Sequence, residues 1–327
     1  MSKPARPGAA PVAGTQPGLV VAGFGRHVLV ETDSGERVIC HPRGKKSQAV
    51  VGDRIRWLPS QDEGTIEKIE TRSNLFYRQD EMRTKSFAAN LDQVLILIAA
   101  EPEFSESQLT RALIAAEAER ITPIIALNKS DLTEPFARGW AKLAPYRAMG
   151  YRMLPLAIKP KAATAGPNDT QPAELPELIA LLRGKKTLVL GPSGAGKSSL
   201  TNLLVPDARV LTAEISQALN SGKHTTTSTT LYWVDADGDG ARTTALIDSP
   251  GFQEFGLHHI DAMRLASYMP DLKAHAQDCK FYNCTHLHEP GCGVIAEVNT
   301  TDSPSSISAS RYRLYSELFA ELSQSRY

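Results

Sequence analysis

Residues 187–200 read TLVLGPSGAGKSSL, a short apolar run, a glycine-rich turn and a helix-forming run in direct succession. The turn fits the pattern G-x-x-x-x-G-K-[ST] at Gly191, Gly196, Lys197 and Ser198, and it has the strand-before, helix-after setting that this pattern requires. Glycines let the backbone fold its amides toward phosphate oxygens, and the helix N-terminus adds positive potential. Lys197 is placed to reach β- and γ-phosphates, and Ser198 to hold Mg²⁺. The candidate phosphate cradle therefore comprises Gly191, Pro192, Ser193, Gly194, Ala195, Gly196, Lys197, Ser198 and Ser199.

A phosphate cradle does not choose between adenine and guanine. A second stretch, TPIIALNKSDL at 122–132, does. The Asp131 carboxylate can accept two hydrogen bonds from N1–H and N2–H₂ of guanine, which adenine cannot offer, and a site built for such bonds rejects a base lacking them. Asn128 is expected on the base's other edge. Lys129 is expected to cover the base face, with Ser130 beside it. The four residues follow an apolar strand, where ligands of open α/β sheets bind. Their order is unusual, because in an ordinary GTPase the glycine loop precedes NKxD and here it follows.

Two further pieces fit the same site. In ALIDSPGF, Asp248 ends an apolar run, suited to holding Mg²⁺ through water, and the Gly251 amide can sense a γ-phosphate. The hydroxyl-rich SGKHTTTSTTL at 221–231 suits a switch whose Thr226 completes the Mg²⁺ shell. Alone, that stretch reads as a polar loop or edge strand. The position after DSPG is Phe252, where Ras-like proteins carry a water-orienting Gln.

Around this core the texture changes twice. Residues 17–75 carry about five short β-rich runs broken by Gly and turn signals such as DSGE, which predicts a small barrel, an OB-fold above other barrels. Arg26, Arg37, Arg43, Lys45, Lys46, Arg54 and Arg56 outnumber Glu31, Asp33, Glu36 and Asp53 there. On an OB-like barrel such a surplus forms a phosphate-tracking surface for RNA, although a cluster of that size alone reads as a solvated loop. From about 86 onward, strands and helices alternate, predicting a mostly parallel sheet covered on both faces. A helix is expected over SESQLTRALIAAEAERI, 105–121, and another around 134–149, with a surface loop at 159–173. After 256 the chain is expected to turn helical and to end in an amphipathic helix over about 304–325.

Three of the four cysteines crowd into CKFYNCTHLHEPGC. Cys279, Cys284, His286 and Cys292 form a closed set of three thiolates and an imidazole, which suits one structural Zn²⁺. His288 is the rival imidazole. Cys40, remote in sequence, reads as a small buried side chain.

The order NKxD, GxxxxGKS, HTTT, DxPG, behind a β-barrel and ahead of a cysteine cluster, resembles the circularly permuted GTPases, and specifically the ribosome small-subunit-dependent GTPase family (RsgA/YjeQ type). The resemblance runs from about 17 to 325. It implies a permuted α/β P-loop GTPase domain, preceded by an all-β OB-fold barrel and followed by a mainly helical zinc-binding domain. The implied divisions are an OB-fold RNA-binding domain over 17–80, the GTPase domain over 81–255 and the zinc-binding domain over 256–327, while residues 1–16, rich in Pro, Ala and Gly, read as a disordered tail outside the resemblance. It implies GTP hydrolysis stimulated by the small (30S) ribosomal subunit, a role in late maturation of that subunit, contact with its 16S rRNA, and a cytoplasmic monomer that binds GTP and GDP and no membrane. It makes His224 the switch histidine of hydrolysis, with Thr226 and Lys197 as the other catalytic groups, and the same four residues the zinc ligands. Ala157 stands where the family's fifth motif carries Ser, which puts the second base contact in doubt.

Composition sets limits without choosing a function. The net charge is zero, which argues against a globally basic binder. The longest apolar run, VLILIAA at 94–100, is far short of the roughly 20 residues a membrane helix needs. The first 16 residues, rich in Pro, Ala and Gly, lack the apolar core of a secretory signal. Other readings are a permuted GTPase acting on the large subunit or another RNA, a non-enzymatic RNA binder with a structural nucleotide, and an ATPase.

Overall fold

The computed structural model of the protein describes residues 14–44, 48–60, 63–158, 174–208, 228–252, 254–300 and 306–324. Five strands open the fold: β1 (Gln16–Phe24), β2 (His27–Glu31), β3 (Arg37–Pro42), β4 (Arg54–Pro59) and β5 (Gly64–Ile69). They pair in the closed circuit β1-β2-β3-β5-β4-β1, parallel only between β3 and β5. Closure leaves no edge within the circuit, and the circuit is that of an OB-like barrel. Val20, Val28, Val30, Cys40, Ile55, Trp57 and Ile66 fill its interior. A Cβ on Gly64 would sit 2.5 Å from both Cys40 Sγ and the Trp57 ring, so the barrel closes around that indole only because position 64 has no side chain. Burial pushes the Cys40 thiol up to about 12, and it packs as the small neutral side chain expected.

The second sheet holds β8 (Gln93–Ala99), β9 (Thr122–Asn128), β10 (Arg152–Leu156), β11 (Lys186–Leu190), β12 (Thr230–Val234) and β13 (Thr244–Asp248). Its order is β10-β9-β8-β11-β13-β12, all parallel except the β12–β13 pair. Counted from β11 instead of from the N-terminus, that order becomes 2-3-1-4-5-6. The sheet thus keeps one set of strand neighbours whichever end the chain starts from, so NKxD can precede the glycine loop without moving either in space. All seven residues of β8 are buried. Val94, Ile96 and Ile98 face one core and Leu95 and Leu97 the other, because successive side chains point to opposite faces. That is why this strand reads as an unbroken apolar run.

Helices α1 (Glu106–Ala118), α2 (Thr133–Lys142), α3 (Ala144–Ala148), α4 (Leu175–Leu182) and α5 (Lys197–Leu204) cover the sheet. Ser105 caps α1, its side chain accepting from the Gln108 amide at 3.3 Å. The single helix expected around 134–149 is two, divided at Leu143. Pro145 lies in the first turn of α3 and has no N–H to continue the preceding ladder.

A hairpin, β6 (Leu75–Gln79) with β7 (Thr84–Ala89), joins barrel to sheet and forms its own two-stranded sheet. Sequence patterning passes over it, and the expected division between 80 and 81 falls in its turn. Phe76 and Phe87 pack against Phe255 at centroid distances of 5.9 and 6.1 Å. The barrel also meets the sheet edge directly, where Ala22 of β1 pairs with Thr230 of β12. At that seam the buried Glu31 carboxylate accepts from Trp233 Nε1 at 2.7 Å and from Arg37 and Arg242 at 3.2 Å.

Beyond the sheet lie a 3₁₀ helix (Ala262–Tyr268), α6 (Pro270–Ala276), α7 (Gly293–Ala296) and α8 (Ala309–Ser323), the last shorter at its start than expected. Ser308 caps α8 by accepting from the Arg311 amide at 3.4 Å. Arg311, 2% exposed, fixes where α8 docks. It donates to Asp271 at 2.8 and 3.2 Å and to Thr110 Oγ1 of α1 at 2.8 Å, with the Tyr146 ring 5.1 Å from its guanidinium. A buried charge is tolerated only when so paired, which makes the docking specific. Among the described residues no helix is long and apolar enough to cross a membrane.

Candidate functional site

The motif loops converge because their strands end together. In the parallel register Val189 pairs with Asp248, Leu190 with Ile96, Ala99 with Asn128 and Asn128 with Leu156. The carboxyl ends of β9, β8, β11 and β13 therefore form one edge, and β11 sits where strand order reverses, the usual ligand crevice of such sheets. A cavity of about 920 Å³ opens there, lined by Ser193, Gly194, Gly196, Lys197, Ser198, Ser199, Ser249, Gly251 and Phe252, and also by Arg78 and Glu254.

Within the glycine loop, Gly196 has φ +110° and begins α5 as its cap. A Cβ there would lie 2.5 Å from Asn128 Nδ2. The close approach has a reason: Asn128 Nδ2 donates to the Ala195 carbonyl at 2.9 Å, and its Oδ1 accepts from the Ile158 amide at 3.1 Å. The Asn128 amide is 5% exposed and bonds backbone at both ends, so it clamps the NKSD loop to the glycine loop and to the end of β10, with a second amide N–H still available to a base. Lys129, in the left-handed region at φ +69°, donates to the Glu101 carbonyl. The Ser130 amide donates to Leu156 O at 2.9 Å, which holds Asp131, half-buried, at the loop tip. Ala157 lies half-buried between the two β10-end backbone groups that these contacts use.

Lys197 Nζ donates to the Gly191 and Pro192 carbonyls, each at 2.9 Å, curling back over the loop. Burial lowers its pKa, and nearby Asp248 opposes that. Asp248 is 5% exposed, and its Oδ1 is buried with no hydrogen-bond partner among the described residues. Burial raises this carboxyl from 3.8 to about 6, against the pull of Lys197. An orphaned buried carboxylate oxygen at the end of β13, with the Lys197 ammonium as its charged neighbour, fits a hydrated Mg²⁺, a hard cation that prefers oxygen ligands and keeps its waters. Gly251 lies close by, since a methyl there would sit 3.2 Å from Lys197 Nζ. Phe252 is 5% exposed, edge-on to Phe255 at 5.5 Å, and belongs to the core. His224 and Thr226 lie outside the described residues.

The raised Asp248 pKa makes a stability prediction. A folded pKa above the unfolded one favours the protonated form, so the contribution is full below pH 3.8 and lost as pH rises through about 6. At neutral pH the ionised group costs the nucleotide-free fold about 1–3 kcal/mol. Asp248→Asn is expected to raise the melting temperature of nucleotide-free protein by a few degrees at about pH 7.5, with the gain shrinking toward about pH 5. Thermal melts of both proteins across pH check this, and an Asp248→Asn variant that melts below wild type at about pH 7.5 contradicts it.

The second constellation is the cysteine loop. The ligand atoms of Cys279, Cys284, His286 and Cys292 all lie within 4.8 Å of one another. Cys279 and Cys292 Sγ are 3.8 Å apart, and His286 Nδ1 is 3.4 and 3.5 Å from them. A tetrahedral zinc with bonds of about 2.3 Å to S and 2.0 Å to N has S···S and S···N edges of about 3.8 and 3.5 Å. The residues fit one closed zinc site, with Nδ1 as the imidazole ligand. The rival His288 is exposed and outside the cluster. Two supports were missed by sequence reading. Glu289 gathers the loop, accepting from Thr285 N and Oγ1 at 2.9 and 2.6 Å. Tyr312 and Tyr315 of α8 donate to the His286 and Thr285 carbonyls at 2.8 and 2.6 Å.

The basic surplus of the barrel is smaller than its count implies. Arg37, Arg43 and Arg56 pair with Glu31, Glu67 and Glu70, leaving Arg26 and Arg54 exposed on that side. Lys45 and Lys46 lie outside the described residues.

A family model described as RsgA GTPase matches residues 69–258. The chain belongs to the RsgA GTPase family. Its relatives include the small ribosomal subunit biogenesis GTPase RsgA of Variovorax paradoxus, 69% identical over 99% of this chain and 100% of that one. That of Paraburkholderia phytofirmans is 50% identical over 94% of this chain and 93% of its own. Among solved structures, YjeQ from Thermotoga maritima aligns with TM-score 0.68 and 28% identity over 95% of this chain and 100% of that one. YloQ, a circularly permuted GTPase, aligns with TM-score 0.66 and 25% identity over 96% of this chain and 98% of that one. Within the family frame the three parts are the OB-like barrel, the permuted GTPase sheet and the Cys₃His module.

Proposed function

We propose that this protein hydrolyses GTP as a biogenesis factor of the small ribosomal subunit. The observation that carries this is the convergence of NKSD, the glycine loop and DSPG on one sheet edge in a chain matched end to end by an RsgA of 69% identity. We divide the chain into a tail (1–16), an RNA-binding OB barrel (17–80), the GTPase domain (81–255) and the zinc domain (256–327). Asp131 reads guanine, Lys129 covers the base and the 191–199 loop cradles the phosphates. Ser198, Thr226 and, through water, Asp248 hold Mg²⁺, Gly251 senses the γ-phosphate, and His224 serves hydrolysis. The barrel and zinc domain grip 16S rRNA in the 30S subunit, the protein acts late in maturation as a cytoplasmic monomer, and it leaves after hydrolysis. Its fold offers no membrane-crossing helix among the described residues, which suits that role.

Intrinsic turnover is expected to be slow, because Phe252 cannot orient water. Isolated small subunits should raise GTP turnover about tenfold or more, equivalent to about 1.4 kcal/mol of barrier or more, and large subunits should not. His224→Ala should bind GTP normally and lose the stimulated turnover. Phosphate release measured with each subunit checks this, and turnover unmoved by small subunits overturns it.

A further inference from the structure

Arg78 enters the nucleotide cavity from outside every nucleotide-binding motif. It lies on β6, in the hairpin between barrel and sheet, 113 residues before the glycine loop begins at Gly191. Pairing with the stretch after DSPG fixes its position. Gln79 N donates to Gly256 O at 3.1 Å, His258 N donates to Gln79 O at 3.0 Å, and Gly256 N donates to Asp80 Oδ1 at 3.1 Å. The Arg78 side chain, 20% exposed, lines the same cavity as Gly194, Lys197, Ser198 and Gly251. Among the described residues lining it, Arg78 and Lys197 are the two cations.

The guanidinium is underused. Nη1 donates to the Glu254 carbonyl, Nη2 stands 3.8 Å from Asp80, and Nε is buried with no partner among the described residues. Arg78 shares this cavity with Lys197 and Gly251, the two residues that the GTPase reading sets at the γ-phosphate. A planar guanidinium binds phosphoryl oxygens through paired, charge-assisted bonds far better than one neutral carbonyl. The site also needs such a charge, because Phe252 supplies no polar group.

We propose that Arg78 is a catalytic residue for GTP hydrolysis, supplied within the chain, which exchanges the Glu254 carbonyl for oxygens of the transferring γ-phosphoryl group. This rests on the GTPase reading above. Water oxygen bonds to the γ-phosphorus as the bond from that phosphorus to the β–γ bridging oxygen breaks. The electron pair stays on GDP, and both water protons leave on the phosphate product. Arg78 stabilises the negative charge spread over the equatorial and bridging oxygens.

The test compares full-length wild type, Arg78→Ala and Arg78→Lys in single-turnover GTP hydrolysis with small subunits, and in forming the GDP–aluminium fluoride complex that mimics the transferring group. Arg78→Ala should lose about 10³-fold in rate and fail to form that complex, with GDP affinity, zinc content and melting temperature unchanged. Arg78→Lys should recover only part, because an ammonium cannot bridge two oxygens. An alanine variant hydrolysing within about threefold of wild type, or binding aluminium fluoride as well, overturns the proposal. Should that variant misfold, a folded Arg78→Lys at the full wild-type rate overturns it equally. A wild type silent with small subunits sinks the GTPase reading itself, whereas active wild type with an unaffected variant sinks only this assignment.

Discussion

Replacing Gly196 by alanine is expected to weaken GTP binding by about 10²-fold or more while the chain stays folded. Two costs combine at this residue. The φ of +110° is one that a side chain rarely adopts, a strain of about 1–3 kcal/mol. The new methyl would also meet Asn128 Nδ2 at 2.5 Å. Asn128 cannot yield freely, since it is tied to Ala195 O and Ile158 N at 2.9 and 3.1 Å. Relief must come from the glycine loop, whose amides then leave their phosphate positions. Together about 3 kcal/mol is roughly a hundredfold in affinity. Titration with a fluorescent GTP analogue checks this beside a thermal melt. Affinity within about threefold of wild type would mean that the loop has slack the structure does not show.

The second large effect is expected at the zinc module. Cys292→Ala should abolish zinc binding and release α8 from the cysteine loop. Cys292 Sγ stands 3.8 Å from Cys279 Sγ and 3.5 Å from His286 Nδ1, and it also caps α7 by accepting from Ile295 N at 3.4 Å. Zinc supplies about 10 kcal/mol or more to small modules that lack a large core. Without it, the His286 and Thr285 carbonyls no longer hold position for Tyr312 and Tyr315. Metal content per chain and amide exchange over 309–323 are the measurements. Cys40→Ala, in the barrel, should keep full zinc. Full zinc in Cys292→Ala would remove this residue from the ligand set.

Much of the site was legible because its chemistry is local. Gly191 to Ser198 form one strand–loop–helix unit, and Cys279 to Cys292 one short loop, so spacing along the chain stands for spacing in space. The barrel was legible from its short β-rich runs and turn signals, and β8 from its apolar run. What was not legible depends on pairing across long separations. The β6–β7 hairpin buries Phe76 and Phe87 against Phe255, a packing partner more than 160 residues away. The helix break at Leu143 and the backbone partners of Asn128 are of the same kind. So is the pairing of Arg37, Arg43 and Arg56 with glutamates, which a count of charges cannot see.

By itself, the sequence determined the three-part order of the chain, the guanine-type motif set and the zinc ligand spacing. Each of these depends on contiguous residues whose backbone geometry is set by glycine, proline and side-chain alternation. Only the tertiary structure decided that Asn128 clamps two motif loops together, that Asp248 keeps an orphaned oxygen, that Arg311 seats the last helix and that Arg78 stands in the nucleotide cavity. Those outcomes follow from which strand ends and helix faces the closed sheet brings within hydrogen-bonding distance, and no spacing along the chain records that.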